Sequence, residues 1–258
     1  MEYNSNKYPL ELPVKKPFFC RLSFALLVLS CLFLALLSLA SAAGEIEPTP
    51  PATLAETLLE GLLEEREIIS LSHLSPVTEE EIGACYSTLY ATNPALFFVS
   101  SHYTLGTSGG TPLYLRPTYR FTREERQERE ADMIEKMDEI LAACGSSLTK
   151  EETVALLHDE MIARFSYDTE RVNYDAYSLL ETGKGVCQAY ALLFKALCDR
   201  AGVACECVPA FDANHEWNRV YLDGTWLHLD LTWDEADSTP TYVARHYFLM
   251  QSHPAASP

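Results

Sequence analysis

Residues 183–198, GKGVCQAYALLFKALC, are the stretch that decides the fold of this chain. A glycine-broken loop leads into a segment whose apolar residues recur every three or four positions, as on one face of an α-helix. Gly202 follows the segment and is suited to end the helix. The pattern predicts one buried helix that begins close to Cys187. Its apolar face comprises Cys187, Tyr190, Ala191, Phe194, Leu197, Cys198 and Ala201.

The position of Cys187 in the first turn of this helix makes it a candidate nucleophile. The first N–H groups of a helix lack intrahelical partners, and the positive end of the helix dipole lies there. Both effects favour the thiolate form of a cysteine, which is the reactive form. The alternative is that Cys187 is one more small core residue on the apolar face. The helix alone leaves both interpretations open.

Three strand-like runs follow Gly202, and the last two form a predicted hairpin. The dipeptide Asp223-Gly224 is a strong signal for a two-residue turn. Such a turn fixes the pairing of the two strands, with Leu222 opposite Thr225. The runs are residues 203–210, 215–222 and 225–232.

The predicted register brings a histidine and an aspartate onto one face of the hairpin. His215 and Asp230 become diagonal neighbours, with Cβ atoms about 7–8 Å apart or somewhat less. A histidine can take the proton of a cysteine thiol, while an aspartate orients the imidazole ring. Two alternatives stay open. Asp230 could instead pair with Arg219, its other diagonal neighbour, and His228 is a rival base.

Upstream of this region, four helices are predicted by capping boxes, in which a threonine precedes a glutamate by three positions. Two strands, at about residues 96–105 and 113–121, surround a glycine-rich turn. His158 lies on the apolar face of the fourth helix and is predicted to be a hydrogen-bonded core residue. A short strand is expected near residues 247–249. The capping-box threonines are Thr53, Thr78, Thr122 and Thr149.

The composition argues against some classes of partner and gives little support for a metal. The chain has 37 acidic and 19 basic residues and a net charge of −18, which disfavours nucleic acid and anionic lipid. A zinc site built from Cys198, Cys205, Cys207 and His215 is conceivable, although the spacing of these cysteines is unusual for zinc. We therefore expect no metal and no cofactor.

The first forty or so residues carry the features of an export segment. Residues 22–43 contain no charge and follow Lys15, Lys16 and Arg21, which predicts that the positive side stays in the cytoplasm. Residues 40–42, Ala-Ser-Ala, fit a cleavage site, so a removed signal peptide is favoured over an uncleaved membrane anchor. The remainder is expected to be extracytoplasmic, either secreted or anchored to the membrane. Disulfides can form there among Cys85, Cys144, Cys187, Cys198, Cys205 and Cys207.

Two motifs, GKGVCQAY at residues 183–190 and NHEWNRVYLDGTWLHLDLTWDE at residues 214–235, closely resemble the transglutaminase-like superfamily, in particular its bacterial exported branch. The resemblance implies an α+β, papain-like fold with helices on a small antiparallel sheet. It also implies that Cys187 is the nucleophile, His215 the base and Asp230 the orienting acid. Glu216 departs from the family pattern, in which a small residue usually follows the histidine. It would raise the pKa of His215 or narrow the pocket.

The predicted function is that of an exported thiol enzyme acting on protein or peptide amide bonds through a cysteinyl thioester. Hydrolysis by a peptidase or amidase is favoured over transamidation to an amine. The alternative is a catalytically silent binding or cell-surface scaffolding module, for example with Cys187 locked in a disulfide. The predicted parts are a signal peptide or anchor at 1–42, a proline-rich spacer at 43–52, a mainly helical region with a β-hairpin at 53–150, and the catalytic core at 151–258.

Overall fold

The computed structural model describes residues 53–255, which belong to one compact unit. The predicted export segment, residues 1–42, and the proline-rich spacer, residues 43–52, lie outside the described residues. Within residues 53–255, no helix is both long enough and apolar enough to cross a lipid bilayer.

Seven α-helices and eight β-strands make up the described part of the chain, which confirms the α+β prediction. Two short 3₁₀ turns, Pro94–Leu96 and Phe211–Ala213, connect some of them. The helices are α1 Leu54–Leu63, α2 Glu79–Thr92, α3 Arg123–Cys144, α4 Lys150–Arg164, α5 Ala176–Thr182, α6 Cys187–Arg200 and α7 Leu231–Asp237. The strands are β1 Ile69–Ser70, β2 Val99–Ser108, β3 Thr111–Tyr119, β4 Ser166–Tyr167, β5 Lys184–Gly185, β6 Cys205–Ala210, β7 His215–Leu222 and β8 Thr225–Leu229.

The four predicted capping boxes are confirmed at the starts of α1, α2, α3 and α4. In each, the threonine side chain accepts the N–H of the glutamate three residues later, and that glutamate accepts the threonine N–H. Asp175 and Asp230 cap α5 and α7 with their carboxylates. The start of α6 differs, because Val186 precedes it and makes no side-chain hydrogen bond to its first turn.

Helix α6 is the central helix, and it packs against the antiparallel sheet β6-β7-β8. Of its predicted apolar face, five residues are buried, whereas Cys187 is partly exposed and Ala201 is exposed. The buried residues are Tyr190, Ala191, Phe194, Leu197 and Cys198. A polar contact fixes the helix on the sheet, since Asn218 Nδ2 on β7 donates to the carbonyl of Ala191 at 3.0 Å. The other sheets are the antiparallel β1-β3-β2 and the parallel pair β4-β5, which leads into the loop before Cys187.

The hairpin register is confirmed near the turn, but the second strand is shorter than predicted. Leu222 faces Thr225, and the pairing continues to Asn218 opposite Leu229. The predicted extension of this strand to residue 232 is wrong, because α7 begins at Leu231. The carboxylate of Asp230 accepts backbone N–H groups from the following turn, which bends the chain out of the sheet into a helix.

The end of the described chain also differs from the prediction. Residues 247–249 form no strand; instead, a single bridge joins His228 to Met250, and the N–H of Asp230 donates to the carbonyl of Tyr247 at 2.9 Å. These contacts return the tail to the edge of β8. His158 is buried and lies 3.1 Å from the carboxylate of Asp234, as predicted for a core histidine.

Candidate active site

Cys187 opens helix α6 at the edge of a cleft. Its side chain is partly exposed, and the cleft has a volume of about 170 Å³. Aromatic side chains form part of the wall, and His215, the first residue of β7, also lines it. The structure therefore brings two of the predicted site residues to one cavity. The remaining lining residues include Tyr167, Arg171, Tyr174, Gln188, Phe211, Asn214 and Glu216.

His215 and Asp230 make the shortest polar contact of the site. The Nε2 atom of His215 lies 2.5 Å from Oδ2 of Asp230, whose side chain is only 1% exposed. The two residues are not paired in the sheet, because β8 ends at Leu229 and Asp230 is the next residue. Their side chains nevertheless lie close together. The predicted proximity of His215 and Asp230 is thus observed, although Asp230 lies beyond the end of β8 and not within the predicted hairpin strand.

The two alternatives to this pairing are not realised. Arg219 forms an ion pair with Glu206 on β6 at 2.6 Å rather than with Asp230. His228 accepts a hydrogen bond from the indole N–H of Trp217 at 2.9 Å, so one of its ring nitrogens already has a hydrogen-bond partner. Neither contact competes with the contact between His215 and Asp230.

Electrostatics favour a charged histidine beside a charged aspartate. Burial opposes the positive charge on His215, but hydrogen bonds and charge interactions with Asp230 and Cys187 outweigh it and raise the pKa of His215 to about 9. Burial likewise opposes the charge on Asp230, yet hydrogen bonds from His215 and His253 lower the pKa of Asp230 to about 2. Because Nε2 of His215 faces Asp230, Nδ1 is the ring nitrogen left for the thiol.

Comparisons with known proteins find similarity in the same part of the chain. The family model of the transglutaminase-like superfamily matches residues 138–231, which include Cys187, His215 and Asp230. Residues 138–231 are thus similar to transglutaminase-like domains. As in the predicted papain-like fold, a cysteine stands at the start of a helix that packs on the antiparallel sheet carrying the histidine.

Two relatives and one solved structure resemble parts of the chain. The kyphoscoliosis peptidases of Mus musculus and Homo sapiens are each 30% identical over 117 residues, which cover 38% of this chain. The match spans only 18% of the length of either relative. A crystal structure of a TGase covers 62% of this chain, and 49% of its own chain, at 15% identity and a TM-score of 0.36.

Asp230 is both the partner of His215 and the cap of α7. Its Oδ1 atom accepts the backbone N–H groups of Thr232 at 3.0 Å and Trp233 at 3.1 Å. Its Oδ2 atom faces His215. The helix start therefore fixes the rotation of the carboxylate that His215 contacts.

Two tryptophans hold the ring of His215. The ring stacks on Trp233 with centroids 5.0 Å apart and an interplanar angle of 10°, and it lies 5.9 Å from Trp217 at 28°. Stacked aromatic neighbours restrict rotation of the imidazole and shield it from water. The contact between His215 and Asp230 is therefore kept in a partly apolar environment.

His253 is a site residue that sequence reasoning missed. Its Nδ1 atom accepts the N–H of Ala255 at 3.0 Å, so its Nε2 atom carries the hydrogen and donates to Oδ2 of Asp230 at 3.1 Å. The ring also stacks on Trp217 with centroids 4.0 Å apart. No local signal could have revealed this contact, because it joins a tail residue to a site 23 positions upstream.

The described residues contain one group of side chains that could hold a metal ion. Single ligand atoms of His215, Asp230 and His253 lie within 4.8 Å of one another. These atoms already form hydrogen bonds of 2.5 and 3.1 Å, which account for the cluster without an ion. The conceivable zinc set is not assembled in the described part of the chain, because Cys207 Sγ contacts the carbonyl of Ala191 whereas His215 faces Asp230.

Proposed function

We propose that this protein is a thiol enzyme that acts on protein or peptide amide bonds through a cysteinyl thioester, with hydrolysis favoured over transamidation. One observation carries the proposal. Cys187, at a helix start without a side-chain cap, shares a cleft with His215, which in turn contacts the buried carboxylate of Asp230. Nucleophile, base and orienting acid are thus available in the order that acyl transfer needs.

The proposed reaction begins with the thiolate of Cys187, its proton held on His215. The sulfur attacks the carbonyl carbon of the amide, a carbon–sulfur bond forms, and the carbonyl electron pair moves to oxygen. When the tetrahedral intermediate collapses, the carbon–nitrogen bond breaks and His215 gives its proton to the leaving amine. Water then attacks the thioester with His215 as base, releasing a carboxylic acid and restoring the thiol.

The start of helix α6 supplies donors for the negative oxygen of the intermediate. Val186 leaves the first turn without a side-chain cap, so its N–H groups, including that of Cys187, are available to a ligand. Donors of this kind stabilise an oxyanion beside the nucleophile. Asp230 holds the positive charge on His215 while this negative charge develops.

The preference for hydrolysis rests on two supports. The two relatives at 30% identity carry the name peptidase, although the match spans 18% of their length. A partly exposed thiol in an open cleft also admits water readily. An amine acceptor would turn the same thioester into a cross-link, so the outcome depends on which nucleophile reaches it first.

Mass spectrometry of casein incubated with the full-length protein and a primary amine tests the proposal. We expect cleaved peptides or deamidated glutamine residues, and neither with the variant Cys187→Ala. Amine adducts would instead establish transamidation as the main reaction. No product, together with no alkylation of Cys187 by iodoacetamide at pH 6–7, would favour the silent binding module and overturn the proposal.

We further propose that the protein is exported, with its domain outside the cytoplasm and with a membrane tether if the segment is not removed. The support is residues 22–43, which carry no charge and follow a basic stretch. Mass spectrometry of the N-terminus of the protein recovered from culture medium and from membranes tests this. A mature chain starting near residue 43 in the medium is expected, whereas an intact N-terminus in the cytosolic fraction would contradict export.

A further inference from the structure

Glu216 is a buried acid in the wall of the cleft that the proposed reaction does not yet use. It lies on β7 between His215 and Trp217, and it faces helix α6 as Asn218 does two residues later. The residue is 5% exposed, and it lines the same cavity as Cys187. A buried carboxyl group is therefore part of the wall of the cleft that Cys187 also lines.

Part of this carboxyl group has no protein partner. Within the described residues, Oε1 of Glu216 makes no hydrogen bond, and the side-chain Nε2 of Gln188, in the wall of the same cleft, makes none either. Burial of a polar group without a partner is unfavourable, so such groups are rare unless a ligand, a water molecule or an ion satisfies them. Two of them beside one cysteine point to a substrate group that binds there.

The surroundings of Glu216 favour its neutral form. Among the described residues, no arginine or lysine forms an ion pair with it. Burial, followed by the charge of Cys187, raises the pKa of Glu216 well above the usual range, against smaller opposing effects of Cys207 and His215. A neutral carboxylic acid can donate a hydrogen bond through its O–H group, which a carboxylate cannot do.

We propose that Glu216 is a catalytic residue that, as a neutral carboxylic acid, donates a hydrogen bond to the oxygen of the substrate acyl group bound to Cys187. The amide N–H of Gln188 and the backbone N–H groups of the α6 start approach the same oxygen as further donors. Glu216 keeps its proton throughout and takes part in no covalent step. The inference rests on the proposed function, because it requires an acyl group on Cys187.

The competing role for an acid at this position is the binding of an amine. A charged Glu216 would attract an ammonium group. The ammonium group would leave Nε2 of Gln188 without a partner, because the ammonium group and this amide nitrogen are both donors. An acyl oxygen, in contrast, accepts from both Glu216 and Gln188. The acyl oxygen therefore satisfies both unpartnered groups, and a cationic amine satisfies one.

Two variants separate these roles. Glu216→Gln stays neutral and keeps an N–H donor, whereas Glu216→Met keeps the volume and removes the donor. With p-nitrophenyl acetate as acyl donor, we expect Glu216→Met to slow acylation of Cys187 about 10²-fold and Glu216→Gln to slow it less than about tenfold. Both should react with iodoacetamide at the wild-type rate, because alkylation of a thiolate forms no oxyanion.

The outcomes distinguish this inference from the proposed function. Wild-type protein that is neither acylated nor alkylated at Cys187 would overturn both, whereas wild-type acylation by Glu216→Met would overturn only the role of Glu216. Loss of acylation in Glu216→Gln as large as in Glu216→Met would also overturn it, in favour of a charged acid.

Glu216→Met should unfold at the same temperature as wild type or higher, since it removes an unpaired buried group. If Glu216→Met does not fold, the acylation rate of Glu216→Gln alone decides whether Glu216 acts as a hydrogen-bond donor or as a charged group.

Discussion

The helix starts of this protein fall into two groups that differ in what satisfies their first N–H groups. Among the described residues, six of the seven α-helices begin with a threonine or aspartate side chain that caps the first turn. The exception is α6, which begins after Val186 and carries Cys187 as its first residue. Within residues 53–255, a side-chain cap is thus absent only from the helix that carries the candidate nucleophile.

For the proposed reaction, stability and activity place opposite demands on the same backbone groups. A cap is worth about 1 kcal/mol because it satisfies N–H groups that otherwise lack a partner. At α6 those groups are left for an oxyanion that exists only during the proposed reaction. At α7 the two demands coincide, because the capping carboxylate of Asp230 is also the partner of His215.

Replacement of Asp230 should have the largest effect. Asp230→Asn removes the charge that holds His215 in its protonated form, and we expect acylation to fall about 10³- to 10⁴-fold. Asparagine caps helices as well as aspartate, whereas alanine does not, so Asp230→Ala should be less stable than Asp230→Asn by about 1 kcal/mol. Acylation kinetics and urea unfolding of both variants measure the two effects. Equal stability would show that the cap at α7 contributes nothing.

The activity of the wild-type protein should fall at high pH. The pKa of His215 is raised to about 9 from its usual value of 6.5. The stabilisation that its positive charge contributes is therefore fully present below pH 6.5 and is lost as the pH rises through 9. Above that pH, we expect kcat to fall about tenfold per unit because the leaving amine loses its proton donor. A profile that falls between pH 6 and 7 would mean that His215 is not held in its charged form.

A cap added to α6 should convert the exceptional helix into an ordinary one. Val186→Thr keeps the shape of the buried side chain and adds a hydroxyl at the N-cap position. We expect unfolding to cost about 0.5–1 kcal/mol more, and acylation to slow about tenfold or more because the hydroxyl occupies a donor meant for the oxyanion. Val186→Ala is the control that changes the side chain without adding a cap. Unchanged acylation in Val186→Thr would show that these N–H groups are not used.

Removal of the N–H of His253 should have a smaller effect on rate. His253→Phe keeps the stack on Trp217 but gives no hydrogen bond to Asp230, while His253→Gln can still donate one. We expect kcat to fall about tenfold in His253→Phe with KM unchanged, and to recover in His253→Gln, because one hydrogen bond to a charged group contributes about 1.5–3 kcal/mol at most. An equal loss in both variants would mean that His253 acts only through packing.

Removal of an ordinary cap should leave the reaction untouched. Thr149→Val deletes the cap of α4, far along the chain from the cleft residues, and should destabilise the fold by about 1 kcal/mol. Thermal unfolding and acylation kinetics, measured together, check this. A loss of activity at a temperature where the variant is folded would break the distinction between the two groups of helix starts.

Much of the fold was predictable because its signals are local. A threonine followed by a glutamate at the third position identified four helix starts, and the turn at Asp223-Gly224 identified the register of β7 and β8. The start of α6 followed from the glycine-broken loop and from the apolar periodicity after it. These features depend on neighbours within a few residues, so they can be read without knowledge of the tertiary structure.

The features that were missed depend on contacts between distant segments. Asp230 leaves the sheet because its carboxylate caps α7. Strand β8 therefore ends three residues earlier than predicted. His253 reaches the site only because the tail returns to the edge of β8. The environment of Glu216 also depends on the packing of α6 against β7, which the sequence pattern does not specify.

The return of the tail to the site has a practical consequence for anyone who purifies or labels this protein. An affinity tag joined close to His253 would pull on a segment that holds Asp230 in place. The turn between β2 and β3 offers a better position, since nothing lies within 4 Å of where a side chain on Gly109 or Gly110 would begin. A fluorescent or epitope label inserted there would report on the protein without disturbing the cleft.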